Sequence, residues 1–370
     1  MSEPSEYLRE ALALARRGIG QTSPNPAVGA VVVKDGAVVG RGFHTYSGVR
    51  HAEAIALTEA GPAAKGATLY VSLEPCSHQG RTGPCVEAII AAGVNRVVAA
   101  MQDPNPLVSG KGFERLRAAG IAVEIDRTAT AQAEQINEPF VHFMRTGLPL
   151  VTLKSAVTLD GKIAAPEDNS GWITSERARA HVQQLRHESD TILTGIGTVL
   201  GDDPLLTDRS GYERERPLLR IVLDSQLRMP VGSRMARSAK DDLLVVTTSA
   251  ASSERRKALT DAGVEILVLD GTGGRTDLPA LVKALAARRY LSLMIEAGSK
   301  VNWAALESGI VDKIFFYYAP KILGGGASRP AVGGQGAGSL AAATDLTDVE
   351  YLPLGRDWLI TGLIRPRRGH

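Results

Sequence analysis

Strand and helix signals alternate through the first part of the chain, pause at TGLP (146–149), and start again at LVTLK (150–154). This alternation constrains the fold most, because a layered α/β architecture buries the apolar faces of both element types together. Residues 5–17 read as an amphipathic helix. Segments 28–34 and 37–41, split by Asp35-Gly36, read as a hairpin. Residues 51–60 read as a helix ended by Gly61-Pro62. Strands follow at 67–72, 96–101 and 121–125, with helices at 86–92, 112–119 and roughly 129–144.

The second series has strands at 150–154, 191–194, 218–223, 243–247, 264–269, 292–296 and 313–318. Helices fit at 175–186, 254–262, 278–288 and 301–308, and 349–364 suits an antiparallel strand pair. PAVGGQGAGS (330–339) reads as a mobile loop. A length of 370 residues is long for one domain. Two α/β domains are therefore expected, 1–147 and 148–370.

Composition excludes several classes. A net charge of +2 without a basic run gives little purchase on nucleic acid. The polar start MSEPSEYLRE lacks the apolar stretch of a signal peptide, and no window reaches the roughly 18 apolar residues of a membrane span. Two cysteines in a chain this size do not make a disulfide scaffold. The cytoplasm is the expected compartment, where a thiolate–metal site or free thiols are favoured over a disulfide.

Both cysteines lie in SLEPCSHQGRTGPC (72–85), and HAE (51–53) precedes them. His51 opens one expected helix, and Cys76 and Cys85 bracket the approach to another. One His and two Cys supply the three protein ligands of a catalytic zinc with an open position. Helix starts favour thiolates there. Glu53 lies off the face of His51, so its carboxylate is free to shuttle protons beside the metal rather than ligate it. Zinc nucleobase deaminases carry H-x-E and then P-C-x-x-C. His51-Ala52-Glu53 and Pro75-Cys76 match, but eight residues separate the two cysteines here.

That long spacing, with NPAVGA (25–30) upstream and His44 after a strand, resembles the pyrimidine deaminase of riboflavin biosynthesis. Its loop runs P-C-S-H-x-G-R/K-T-P-P-C, and Gly83 here replaces a proline. The resemblance implies a cytidine-deaminase-like three-layer α/β/α domain. It places Asn25, His44, His78 and Arg81 around a phosphorylated pyrimidine ribotide, with Glu53 catalytic and zinc on His51, Cys76 and Cys85.

In the second half, IEAGSKVNWA (295–304) reads as a strand turning into a helix whose bare N–H groups suit a diphosphate. GIGTVLG (195–201) has one residue too many for a dinucleotide fingerprint. The half resembles the reductase, itself similar to dihydrofolate reductase, that is often fused to the riboflavin deaminase. The resemblance rests on KSAVTLDGK (154–162), SGWIT (170–174), TGIGTVLGDDP (194–204), IVLDS (221–225) and EAGS (296–299), with Ala297 where the family has glycine.

It implies a dihydrofolate-reductase-like α/β domain binding NADPH through Ala156, Trp172, Thr198, Asp202, Ser225, Gly298, Ser299, Lys300, Val301, Asn302, Trp303 and Ala304. It implies substrate contacts at Ser170, Arg186, Leu206, Arg209 and Glu296, and assembly as a homo-oligomer. Lys154 and Asp202 are candidates for proton transfer during reduction. The implied reactions are hydrolytic deamination of 2,5-diamino-6-ribosylamino-4(3H)-pyrimidinone 5′-phosphate and then NADPH-dependent reduction of the ribosyl group of the deaminated product to ribityl. Other readings on the residues alone are a cytidine or RNA deaminase, a binding protein with structural zinc, and a reductase domain disabled at Ala297.

Overall fold

The computed structural model describes residues 4–79, 83–106, 108–167 and 171–364. The chain forms two compact units. One runs to Gly147 and takes in Glu213–Arg216; the other holds Leu148–Tyr212 and the chain from Pro217. Among the described residues, no helix is long and apolar enough to cross a membrane.

In the first unit, the Ser5 hydroxyl accepts from Leu8 N at the start of α1 (Glu6–Arg17), satisfying a first-turn donor. β1 (Gly29–Lys34) and β2 (Ala37–Phe43) form a hairpin around Asp35-Gly36, both at positive φ. There follow α2 (Ala52–Ala60), β3 (Thr68–Val71), α3 (Cys85–Ala91), β4 (Arg96–Ala99), α4 (Lys111–Ala118) and β5 (Ala122–Ile125). The sheet order is β2-β1-β3-β4-β5, antiparallel around β1 and parallel from β3 to β5.

Strand alternation sends Ala30 and Val32 towards α2, α3 and α4, and Val31 and Val33 towards α1. The result is three layers. A Cβ on Gly40 or Gly42 would stand 2.1 Å from the carbonyl oxygen of Ala56 or Ala52. Glycine on β2 thus lets α2 lie directly on the strand, which fixes the helix start carrying His51 and Glu53. The single helix expected over 129–144 is two, α5 (Thr130–Ile136) and α6 (Glu138–Thr146). Pro139 lacks the N–H needed to continue α5, so it suits the first turn of a new helix.

The second unit contains β6 (Leu150–Thr158), β7 (Lys162–Ala164), α7 (Glu176–Glu188), β8 (Thr191–Gly195), α8 (Ile196–Asp202) and β9 (Leu219–Leu223). Next come α9 (Arg234–Arg237), β10 (Leu243–Thr247), α10 (Ser253–Asp261), β11 (Glu265–Val268), α11 (Leu278–Ala287), β12 (Ser292–Glu296) and α12 (Ser299–Glu307). β13 (Lys313–Ala319), β14 (Arg329–Pro330), β15 (Leu346–Leu354) and β16 (Asp357–Ile364) complete it.

Nine strands run in the order β11-β10-β9-β8-β12-β6-β13-β16-β15. They are parallel as far as β13, and the expected antiparallel pair β16–β15 closes the edge. α11 and α12 cover one face; α7, α8, α9 and α10 cover the other. The short helices α8 and α9 are additions to the sequence reading, since neither is long enough to show a clear period.

The loop over 330–339, read as mobile, is tied down in its first half. Asn302 Nδ2 donates to Ala331 O at 2.8 Å and Gly333 N donates to Ser299 O at 3.0 Å. A Cβ on Gly334 would overlap the Trp303 ring, so glycine is what allows this close approach.

Candidate functional site

The first site assembles at two helix starts. His51 is the N-cap of α2 and Cys85 opens α3. Cys76 follows β3, its Sγ accepting from Cys85 N at 3.3 Å. His51 Nδ1 lies 3.1 Å from Cys85 Sγ and 3.5 Å from Cys76 Sγ. The three donor atoms all lie within 4.8 Å of one another. The hydrogen bond from Cys85 holds the Cys76 thiol well below its ordinary range; that bond and burial push Cys85 up. The pair therefore already favours one thiolate. One imidazole nitrogen and two sulfurs this close fit a zinc ion at bonds of about 2.0–2.3 Å.

Glu53 is buried in the first turn of α2, with its carboxyl beside the Cys85 thiol. Burial, and next the charge of Cys76, push its carboxyl up to about 7. An acid in that range beside a metal site is suited to taking and returning a proton.

His44 is buried, with its ring 5.1 Å from that of His51 in an edge-on arrangement. Its Nδ1 donates to Arg50 O at 3.1 Å, and its Nε2 accepts from Asn25 Nδ2 at 3.1 Å. The ring therefore carries its proton on Nδ1, and it orients the Asn25 amide. His78 is exposed on the loop beyond Cys76. Arg81 and Ser170 lie outside the described residues.

Two residues escape the sequence reading. Glu74, buried just before Pro75-Cys76, accepts from four backbone N–H groups: Asp103 (3.1 Å), Gly110 (3.0 Å), Gly112 (2.9 Å) and Phe113 (3.3 Å). It ties the cysteine arm to the start of α4. Asn137, at the break between α5 and α6, accepts from Ala27 N at 2.8 Å and donates to Ala27 O at 3.0 Å. It fixes the NPAVGA segment that carries Asn25. Asn137 stands two residues before a proline, which signals a helix start but not its distant partner.

The second site lies at the carboxyl ends of parallel strands, where open α/β sheets bind ligands. Lys154 ends the shared register of β6 opposite Glu296 on β12, and Lys154 Nζ donates to Glu296 Oε1 at 3.1 Å. Arg186 of α7 forks onto the same carboxylate, with Nε and Nη2 donating to Oε2 at 3.1 and 2.9 Å. Arg186 Nη1 donates to Thr207 O at 2.9 Å. Burial works to raise the Glu296 carboxyl, but Lys154 and Arg186 overcome it and hold the group down to about 2.

On the neighbouring elements of the same sheet, Ala156 lies on β6, Thr198 and Asp202 on α8 directly after β8, Ser225 just after β9, and Gly298 is the N-cap of α12 after β12. A Cβ on Gly298 would meet nothing within 4 Å, and Ser299 and Lys300 carry first-turn N–H groups that precede the intrahelical ladder. Trp172 is 67% exposed, with the Arg179 guanidinium 4.7 Å from its ring. An open strand end, bare helix N–H groups and an exposed aromatic ring fit a dinucleotide. Other side chains turn inward: Asn302 is fully buried, and Val301 and Ala304 pack on the core. Leu206 is also core, so it meets a ligand only through its backbone.

The two folds and sites define a class: a zinc-type deaminase unit followed by a doubly wound α/β unit of reductase character. Comparison with known proteins sharpens this. Residues 1–101 match the cytidine and deoxycytidylate deaminase zinc-binding region, and 149–360 match the RibD C-terminal domain. The riboflavin biosynthesis protein RibD of Synechocystis is 42% identical over 98% of this chain and 97% of that protein. That of Escherichia coli is 45% identical over 86% of this chain and 88% of its own. A solved RibD structure from Acinetobacter baumannii has a TM-score of 0.86 at 36% identity, covering 97% of this chain and 98% of that one. A deaminase/reductase structure from Thermotoga maritima has a TM-score of 0.81 at 33% identity, with coverage of 97% and 98%. The chain belongs to the RibD family.

Proposed function

We propose that the chain is a bifunctional enzyme of riboflavin biosynthesis, with the deaminase in 1–147 and the NADPH-dependent reductase in 148–370. The observation that carries the reading is the convergence of the His51, Cys76 and Cys85 donor atoms within 4.8 Å beside the buried Glu53. Family membership supports both halves.

In the deaminase, His51, Cys76 and Cys85 hold zinc, which when bound supplies the Lewis acidity that makes water nucleophilic near neutral pH. Glu53 takes a proton from the attacking water and returns it to the departing ammonia. Asn25, oriented by His44, binds the substrate with His78 and Arg81. An oxo group replaces the ring amine of 2,5-diamino-6-ribosylamino-4(3H)-pyrimidinone 5′-phosphate, and ammonia leaves.

In the reductase, NADPH when bound supplies hydride to C1′ of the sugar. Ala156, Trp172, Thr198, Asp202, Ser225 and the start of α12 hold the cofactor. Glu296, Arg186, Ser170, Leu206 and Arg209 hold the substrate, and Lys154 or Asp202 moves the accompanying proton. The product gains two hydrogens and an open ribityl chain. Zinc-binding thiols stay reduced in the cytoplasm, which is where we place the enzyme. We place it there as a homo-oligomer.

Mass spectrometry of the zinc-loaded enzyme with the diaminopyrimidine ribotide tests this. Exchange of amine for oxo without NADPH, then gain of two hydrogens with it, is expected. Deamination of cytidine or RNA bases with none of the ribotide overturns the reading.

A further inference from the structure

We propose that Gln183 and His187 are positioning residues for the reductase substrate. With Arg186 they fix the backbone of residues 207–210, so that the Arg209 guanidinium meets the phosphate of a sugar phosphate ester. The inference deepens the reductase reading above and rests on it.

Residues 183, 186 and 187 share one face of α7 at helical spacings of three and four. Each grips a different one of three consecutive residues. Arg186 Nη1 donates to Thr207 O at 2.9 Å. His187 Nδ1 lies 3.0 Å from Asp208 Oδ2, both side chains being largely buried. Gln183 Oε1 accepts from Arg209 N at 2.9 Å. Asp208 Oδ1 in turn accepts from Ser210 N at 2.8 Å, and the Tyr212 ring rests 5.3 Å from that of His187.

The segment is also anchored from below. Leu205 O accepts from the buried Arg220 at 3.2 Å, and the Leu206 side chain is buried in the core. Leu206 has φ of 50°, a left-handed conformation that a branched side chain adopts only where its surroundings over-determine it.

Against this anchored backbone, the Arg209 side chain is exposed and has no hydrogen-bond or ionic partner among the described residues. A free guanidinium on a rigid backbone is pre-organised for a phosphate, because little ordering remains for the ligand to impose. Arg186 also forks onto Glu296, so the same helix ties the phosphate reader to the carboxylate of the site.

The test uses the full-length enzyme, the deaminated ribotide and its dephosphorylated riboside, with NADPH oxidation as the readout. Gln183→Ala and His187→Ala should each raise KM for the ribotide about three- to tenfold, the effect of a lost hydrogen bond. They should leave kcat and NADPH affinity largely unchanged and barely affect the riboside. His187→Asn, whose amide nitrogen stands near the place of Nδ1, should recover most of the loss. In an Arg209→Ala background neither substitution should add to the defect. Equal losses on ribotide and riboside, or undiminished effects in the Arg209→Ala background, overturn the proposal. Failure of the wild-type enzyme to oxidise NADPH with either substrate overturns the reductase reading instead.

Discussion

The side-chain amide of Asn137 pairs with both backbone polar groups of Ala27, at 2.8 and 3.0 Å, across a sequence separation of 110 residues. Asn137 is buried, so Asn137→Ala leaves an N–H and a carbonyl of Ala27 without partners. The cost should be about 2–4 kcal/mol, from one to two unsatisfied buried groups. Denaturant unfolding should show the loss. Because Asn25 lies two residues from Ala27, KM for deamination should also rise. An unchanged unfolding midpoint contradicts this account of the contact.

The proposed mechanism predicts that Glu53 serves the chemistry of the deaminase and not the binding of its metal. Glu53→Gln keeps the size of the side chain and leaves His51, Cys76 and Cys85 in place, but it cannot accept a proton. Zinc content by elemental analysis should be retained while deamination falls by at least about 100-fold. Reduction of the deaminated substrate by the same protein should continue. Loss of zinc together with activity points to a structural role for Glu53 instead.

The convergence of His51, Cys76 and Cys85 is legible in the sequence because each is a chemically distinctive residue in a short local pattern. His51 caps α2 and Cys85 opens α3, and helix starts show in hydrophobic periodicity, while Pro75-Cys76 lies in the loop after β3. Glu74 and Asn137 are not legible, because their partners are backbone groups 29 to 39 and 110 residues away, and backbone carries no residue label. The same reason hides the α7 grip on residues 207–210: the spacing of 183, 186 and 187 is visible, while the strained loop it meets is not. The break at Asn137 shows the limit of periodicity. One amphipathic pattern runs through α5 and α6, and only the Ala27 contact and Pro139 divide it.

Glu296 should give the reductase unit a distinct acid limb. Burial raises its carboxyl, and Lys154 and Arg186 outweigh burial to hold it at about 2. Its folded value is thus below the ordinary unfolded carboxylate value of about 4.3. A depressed carboxylate stabilises the fold fully above its unfolded value, and the contribution is lost as pH falls through about 4 towards 2. The contribution is of order 3 kcal/mol. Unfolding free energies measured from pH 6 downward should fall more steeply in wild type than in Glu296→Gln over that window. The variant should also be less stable near neutrality, since it leaves Lys154 and Arg186 without their counter-charge. Parallel profiles exclude this ion cluster as the source of acid sensitivity.

Glu74 should govern how firmly the cysteine arm holds its metal. Its two oxygens take four N–H groups from the segment entering α4, and Gly112 there lies so close that a Cβ would stand 2.1 Å from Pro75 O. The backbone between Glu74 and Cys76 is therefore clamped from one side. Glu74→Ala releases the clamp and strands four donors, while Glu74→Gln keeps the shape but turns one acceptor into a donor facing N–H groups. Supporting partners of metal ligands are worth about 10- to 100-fold in metal affinity. Zinc transfer to a chromophoric chelator should accelerate in that range for Glu74→Ala, with Glu74→Gln intermediate. NADPH affinity of the same preparations should be unchanged, which separates local loosening from general unfolding. Zinc release at the wild-type rate in Glu74→Ala means that the ligands themselves, and not the Glu74 clamp, set the hold on the metal.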